Sequence, residues 1–179
     1  MTSKEKSELQ KKVLDSIKPG MSGRLLLAPR AGKTKIIIDY IKREKIKGKI
    51  LWVTPTSKLA KDDIPAEFDK WKAKTYKKNL VTVTWKGLAK QEGDYKLVIL
   101  DEEQFITERN SIPLLNADIT YDVMLSMTGT ESKVKTKREL YTALGLKKIY
   151  EISINSAVDI GLLSNYRIKV VSIPMNEIV

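Results

Sequence analysis

The chain contains the stretch Leu25-Leu26-Leu27-Ala28-Pro29-Arg30-Ala31-Gly32-Lys33-Thr34, in which an apolar run stops at a Gly-Lys-Thr turn. A segment with helical periodicity follows at residues 36–41. Strand, loop and helix in this order present backbone N–H groups at a helix start, where the helix dipole contributes about half a positive charge. We therefore predict a phosphate-binding loop in which Lys33 reaches the β- and γ-phosphates and the Thr34 hydroxyl ligates Mg²⁺.

A second apolar run, residues 97–100, ends at the carboxylates of Asp101 and Glu102. Four apolar residues in succession indicate a strand buried on both faces, as in parallel sheets. The carboxyl ends of such strands form the edge at which open α/β sheets bind ligands. There Asp101 can hold the Mg²⁺ ion and Glu102 can orient and deprotonate a water molecule. An exposed acidic turn is the alternative for this motif alone, and its pairing with the Gly-Lys-Thr turn favours the phosphate site.

The composition narrows the possible chemistry. The 179 residues include no cysteine and no histidine, which excludes thiol and histidine catalysis, disulfides and zinc sites built on these residues. The net charge of +11 predicts a polyanionic partner, nucleic acid first, with a lysine-rich solvated surface as the alternative. No apolar run approaches the ~20 residues of a membrane span, and no signal-peptide core is present. We expect a cytoplasmic protein without a membrane partner.

Strand and helix patterns alternate along the chain. The helical patterns cover residues 4–18, 33–44, 57–71 and 136–144. The strand patterns cover residues 24–28, 49–54, 80–84, 97–100, 122–127, 148–152 and 166–171. This alternation predicts an α/β fold with a mainly parallel sheet and helices on both faces. Residues 1–179 are predicted to form a single domain that begins with a helix within residues 1–20, and Trp52, Trp71 and Trp85 are predicted to pack in the core or on a helix face.

The order of five motifs resembles the first RecA-like domain of superfamily 2 DNA helicases and translocases, most closely the phage and repair-type branch. The motifs are Gln10 and residues 31–34, 51–56, 98–104 and 126–130. Residues 150–168 resemble the segment that leads toward the second motor domain in those family members that act on DNA. The resemblance covers nearly the whole chain. It implies a RecA-like P-loop NTPase domain that uses ATP and Mg²⁺, with residues 165–179 starting the connection to a second RecA-like domain, in cis or in trans.

The resemblance also implies roles for individual residues. The implied catalytic residues are Lys33, Asp101 and Glu102. The implied nucleotide contacts are Gln10, Arg30, Ala31, Gly32, Lys33, Thr34 and Lys35, with Thr34 and Asp101 on Mg²⁺, largely through water. The implied coupling residues are Gln104, Thr128 and Thr130. The implied contacts to DNA, with RNA as the alternative, are Thr54, Pro55, Thr56 and Lys58.

Simpler interpretations remain open for three of these motifs. Residues 54–56 can be a turn and helix cap, residues 128–130 a turn that ends a strand, and Gln10 a solvated helix residue. The phosphate loop also departs from the family pattern, because Pro29 has no N–H to donate and Arg30 adds a charge.

The function implied is that of an ATP-dependent DNA helicase or translocase motor, phage-encoded in a bacterial host. The second domain of such motors supplies arginines to the γ-phosphate, a contribution of roughly 10³–10⁵ in rate at related sites. We therefore expect residues 1–179 alone to bind ATP–Mg²⁺ weakly, to hydrolyse it poorly and not to unwind DNA. The alternatives are a P-loop ATPase that is not a helicase, and a basic nucleic-acid-binding module with a degenerate nucleotide site.

Overall fold

The computed structural model describes residues 1–164, which fold around a six-stranded sheet. The strands are β1 (Gly23–Leu27), β2 (Ile50–Thr54), β3 (Leu80–Thr84), β4 (Gly93–Asp101), β5 (Ile119–Thr128) and β6 (Lys148–Ile152). Their order across the sheet is β3-β2-β4-β5-β1-β6, and every pairing between them is parallel. The predicted parallel α/β sheet is confirmed.

Eight α-helices connect or flank these strands in the described part of the chain. They are α1 (Ser3–Ser16), α2 (Lys33–Arg43), α3 (Ile64–Lys70), α4 (Lys74–Lys77), α5 (Trp85–Leu88), α6 (Glu108–Leu115), α7 (Lys135–Ala143) and α8 (Ile154–Asp159). Within residues 1–164, none of the helices combines the length and the apolar character that a membrane crossing requires. The strand predicted at residues 166–171 and the connection predicted at residues 165–179 lie outside the described residues.

Both faces of the sheet are buried. In β4, Leu97 and Ile99 pack on one side with α1, α2, α3 and α8, whereas Val98 and Leu100 pack on the other side with α5, α6 and α7. Consecutive side chains of a strand point to opposite faces, so a strand covered on both sides is apolar throughout. Each fully buried aliphatic side chain contributes roughly 1.5–3 kcal/mol to folding. The predicted helices on both faces are confirmed.

The observed elements differ from the predicted ones in several places: α4, α5 and α8 were not predicted, and β4 and β5 begin earlier than predicted. The helix predicted at residues 57–71 is continuous over residues 57–70, but it contains a π-helical turn, Leu59–Asp63, that leads directly into α3. Helix α6 was not predicted, since Pro113 interrupts its sequence. A capping box starts α6 nevertheless: the Asn110 N–H donates to the Thr107 hydroxyl (3.2 Å), and the Thr107 N–H donates to the Asn110 side chain (2.8 Å).

Candidate functional site

The loops that follow β1, β4 and β5 meet at one edge of the sheet. β5 lies between β4 and β1, and all three strands run in the same direction, so their carboxyl ends are neighbours. The structure brings the Gly-Lys-Thr turn and the acidic pair together there. Lys33 Nζ donates to Glu102 Oε1 at 3.0 Å, although 69 residues separate the two along the chain.

Helix α1 contacts the phosphate-loop candidate through the side chain of Gln10. Gly32 is the N-cap of α2 and has φ of +86°, a conformation that glycine tolerates best. A Cβ atom at this position would lie 2.3 Å from Gln10 Nε2. The buried Gln10 amide donates to the Ala31 carbonyl at 3.0 Å. Gln10 therefore fixes the loop conformation, and its contact with a nucleotide base stays a prediction. Arg30, also at positive φ (68°), is exposed.

A chain of hydrogen bonds runs from Lys33 to the end of β5. Gln104 Nε2 donates to Glu102 Oε2 at 2.9 Å, and the Thr128 hydroxyl donates to Gln104 Oε1 at 2.7 Å. The Thr130 N–H in turn donates to the Thr128 hydroxyl at 3.2 Å. The residues predicted to couple nucleotide and nucleic acid are thus connected to Glu102, and their coupling role stays a prediction.

The two carboxyls of the acidic pair lie in different environments. Burial, and next the charge of Glu102, raise the pKa of Asp101 to about 6. Burial also acts to raise the pKa of Glu102, but the hydrogen bond from Gln104 and the charge of Lys33 outweigh it, so this pKa lies below its usual value. Glu102 has positive φ (54°), and the Trp85 indole N–H donates to the Asp101 carbonyl at 2.8 Å. The backbone of the pair is held in a defined turn.

A buried ion pair that sequence reasoning missed lies beneath this turn. Arg24 of β1 donates from Nε to Glu103 Oε1 at 3.0 Å, and only 7% and 1% of the two side chains are exposed. The Ser126 hydroxyl donates to the same carboxylate, and the Tyr141 hydroxyl donates to the Glu103 carbonyl at 3.2 Å. The Arg24 guanidinium lies 4.1 Å from the centre of the Tyr141 ring.

The surroundings of this ion pair keep Tyr141 neutral. Burial, and next the charge of Glu103, raise the pKa of Tyr141 to about 12, so its hydroxyl is a donor at neutral pH. The signal available in the sequence was weak: Arg24 stands in an otherwise apolar strand, and Ser126 stands in another. Such residues need a buried partner, but a strand pattern does not say which one.

A cleft of about 620 Å³ opens beside the phosphate-loop candidate. It is lined by Gln10, by residues 32–35 and, from the other side, by α3 and the residue after it, Trp71. Trp71 is half-buried against the core, and its indole N–H donates to Glu67 at 2.6 Å. Lys35, predicted to contact nucleotide, donates to Asp39 at 2.6 Å. The cleft has the size of a small-ligand site.

The residues predicted to contact DNA follow β2 at the same edge. Thr54 is fully buried, and its hydroxyl donates to the Thr56 carbonyl at 3.0 Å. The Thr56 hydroxyl accepts from the Leu59 N–H at 3.3 Å and so caps the helical segment, as the simpler interpretation of this turn has it. Thr56 and Lys58 are exposed and Pro55 is half-buried. The side chain of Thr54 shapes the turn, and a nucleic-acid contact stays a prediction for the exposed residues.

No protein-family model matches the sequence, and no curated protein matches it either. Solved structures do match it. The chain is similar to the UvsW helicase of bacteriophage T4 (TM-score 0.66, 17% identity), over 79% of this chain and 58% of that one. It is similar to the Hef helicase domain of Pyrococcus furiosus (TM-score 0.60, 13% identity), over 85% and 38% of the respective chains. The Sulfolobus solfataricus SWI2/SNF2 ATPase core in complex with dsDNA matches with a TM-score of 0.51 and 18% identity, over 79% and 33%.

These similarities establish the fold: the chain has the RecA-like α/β fold that it shares with these structures. It spans about three fifths or less of the length of each of these structures.

Proposed function

We propose that the chain is the ATP-binding first motor domain of an ATP-dependent DNA helicase or translocase. The single observation that carries the proposal is the 3.0 Å contact between Lys33 and Glu102, which unites the loop after β1 with the acidic turn after β4. A turn that binds phosphate and a carboxylate that accepts a proton are two of the parts on which enzymatic phosphate-anhydride hydrolysis relies.

The residues present fit ATP and Mg²⁺. Gly32 and the first turn of α2 line the cleft, so backbone N–H groups there and Lys33 would donate to phosphate oxygens. The hydroxyl of Thr34 and the carboxylate of Asp101 are oxygen ligands of the kind that Mg²⁺ takes, and they would hold the ion together with phosphate oxygens and water. When bound, ATP–Mg²⁺ supplies the anhydride bond and a cation that neutralises phosphate charge.

Glu102 is the proton acceptor in this proposal. Its pKa lies below the usual value, so it is ionised at neutral pH and can accept a proton from water. Its two oxygens are held by Lys33 and Gln104. A bound phosphate competes with Glu102 for the Lys33 ammonium group, which links phosphate binding to the release of one Glu102 oxygen toward water.

DNA is the proposed partner of the residues that follow β2, with Thr56 and Lys58 on the exposed side of the turn. Support comes from the resemblance of the motifs and from the match to a SWI2/SNF2 core solved with dsDNA. A second RecA-like domain, in the same chain or in a partner, would supply the arginines that act on the γ-phosphate.

Replacement of Lys33 by alanine tests the nucleotide site. We expect Lys33→Ala to weaken binding of a fluorescent ATP analogue with Mg²⁺ at least about tenfold, since the variant cannot form the charge-assisted hydrogen bond from this lysine to phosphate. Lys12→Ala, which removes an exposed lysine from α1, is the matched control. Equal affinity of Lys33→Ala and wild type would contradict the proposal.

DNA titrations of the same proteins separate the alternatives. A P-loop ATPase that is not a helicase binds the analogue, and DNA has no effect on it. A basic module with a degenerate nucleotide site shows salt-sensitive DNA binding, does not bind the analogue, and is untouched by Lys33→Ala.

Replacement of Thr128 by valine tests the coupling chain. The variant keeps the shape of this buried residue and removes the hydroxyl that donates to Gln104. We expect the ratio of DNA dissociation constants with and without the ATP analogue to move toward 1. Thr142→Val, which removes a hydroxyl bonded only within α7, should leave this ratio unchanged. An unchanged ratio in Thr128→Val would show that the chain of hydrogen bonds carries no coupling.

A further inference from the structure

A groove rich in lysine lies at the opposite edge of the sheet from the candidate nucleotide site. Residues 42–48, which lead into β2, and residues 72–79, which lead into β3, enclose about 860 Å³. Five lysines line this lysine groove: Lys42, Lys45, Lys47, Lys72 and Lys78. The groove is at the amino ends of the parallel strands, so the length of β2, on the order of 15 Å, separates it from the loops at their carboxyl ends.

Most of the positive charge of the lysine groove is not balanced by nearby acids: of its five lysines, Lys42 has a carboxylate partner, Asp39 at 3.8 Å. In the described part of the chain, no carboxylate lines the groove, and none lies within 4.0 Å of the ammonium groups of Lys45, Lys47, Lys72 or Lys78. The acidic neighbours along the chain, Glu44 and Asp69, pair instead with Arg43 and Lys77. Like charges gathered in this way repel one another unless an anion lies between them.

Two of these lysines occupy positions where the backbone favours glycine. Helix α2 ends in a Schellman motif: the Ile46 N–H donates to the Ile41 carbonyl at 3.1 Å, and the residue between helix cap and Ile46 is Lys45, with φ of 50°. Helix α3 ends in the same way, with the Ala73 N–H donating to the Phe68 carbonyl at 2.8 Å and Lys72 at φ of 54°.

Three other helices have a post-cap residue with positive φ, and each places a small residue there. Glycine follows the caps of α7 and α8, as Gly145 and Gly161, and Ala117 follows the cap of α6. Among residues 1–164, the post-cap residues with positive φ are lysines only at the two helix ends that line the groove. The helix dipole favours a cation anywhere in the last turn, but it does not require the cation at the one residue with positive φ. It also leaves Lys47 unexplained, which lies beyond the end of α2, whereas Lys78 is the C-cap of α4.

We propose that the lysine groove binds the phosphate backbone of a second segment of nucleic acid, apart from the site at the carboxyl edge and independently of ATP. Lysine ammonium groups bind phosphates as point charges, without sequence preference. The hydroxyl of Thr75 and the amide of Asn79, which also line the groove, add neutral donors. Among residues 1–164, the exposed large apolar side chains all lie outside the groove, which favours nucleic acid over a membrane surface.

The double variant Lys45→Gly/Lys72→Gly tests this proposal, because glycine suits both backbone positions. We expect thermal stability equal to or above that of wild type, together with a dissociation constant for a labelled 20-bp duplex raised at least about fivefold at low salt. The slope of log affinity against log salt should fall by about 0.9 for each phosphate that the variant no longer neutralises. Lys11→Gln/Lys12→Gln removes the same charge from the exposed face of α1 and is the control.

Lysine acetylation read by mass spectrometry locates the contact directly. Duplex DNA should protect Lys45, Lys47 and Lys72 of the wild type and leave Lys11 and Lys12 reactive, with or without an ATP analogue. The proposal is overturned if the glycine variant binds DNA as wild type does, or if the control variant loses as much affinity. It is also overturned if polyglutamate protects the groove as well as DNA does, because the partner would then be an acidic protein.

Discussion

Glu102→Gln is expected to lower the rate of ATP hydrolysis by about 10²–10⁴-fold, the range that a positioned general base contributes. Glutamine keeps the size of the side chain and its hydrogen-bonding partner Gln104, but it cannot take a proton from water. Binding of ATP–Mg²⁺ should be retained or become a few-fold tighter, because the Lys33 ammonium group loses the carboxylate that competes with phosphate for it.

The measurement is release of labelled phosphate from a trace of ATP with the chain in excess and DNA present, since we expect slow hydrolysis even in the wild type. Glu92→Gln, which changes an exposed acid away from the site, is the matched control. Unchanged hydrolysis in Glu102→Gln would remove this residue from the mechanism. Loss of ATP binding would show instead that the carboxylate shapes the site.

Arg24→Met is expected to destabilise the fold by about 3–5 kcal/mol, because it leaves the Glu103 carboxylate buried without its cation. Glu103 retains the Ser126 hydroxyl as a donor, which is too little to compensate a full charge. The double variant Arg24→Met/Glu103→Leu removes both charges and should be more stable than the sum of the single effects predicts, by at least about 2 kcal/mol.

Urea denaturation of wild type, Arg24→Met, Glu103→Leu and the double variant at neutral pH measures these free energies. Lys96→Met is the control: Lys96 and Asp122 are 2.8 Å apart, but their side chains are 53% and 62% exposed, so its effect should be hard to resolve beside that of Arg24→Met. If Arg24→Met and Lys96→Met lower the free energy of unfolding equally, water must reach the Arg24–Glu103 pair. Since Glu103 follows Glu102 directly, we also expect Arg24→Met to slow hydrolysis at temperatures where it remains folded.

Much of the architecture could be predicted because the relevant signals are local. The run at residues 97–100 is apolar at successive positions, and such a run is compatible with few arrangements other than a strand covered on both sides. Where polar residues alternate, as at Asp94, Lys96 and Thr120, the same strands continue beyond the predicted bounds. One face there is exposed, so the apolar signal weakens before the strand ends.

The part of the candidate site that follows from strand direction could be predicted from the sequence. Parallel strands bring their carboxyl ends to one edge, so the Gly-Lys-Thr turn and the acidic pair were expected to approach each other. The side-chain partners were not predictable. Thr54 could equally face a ligand or the protein interior, and only the packed turn shows its hydroxyl bonded to the Thr56 carbonyl.

The amino-acid sequence alone determined the class of sheet, the burial of both its faces and the edge on which phosphate chemistry is proposed, because apolar periodicity and turn residues act over a few neighbouring positions. The tertiary structure decided which distant groups meet: Arg24 with Glu103 across 79 residues, and the two lysine-bearing helix ends across the groove. These long-range contacts depend on strand order and register. Many strand orders satisfy the same local pattern, and the packing of the whole chain selects one of them.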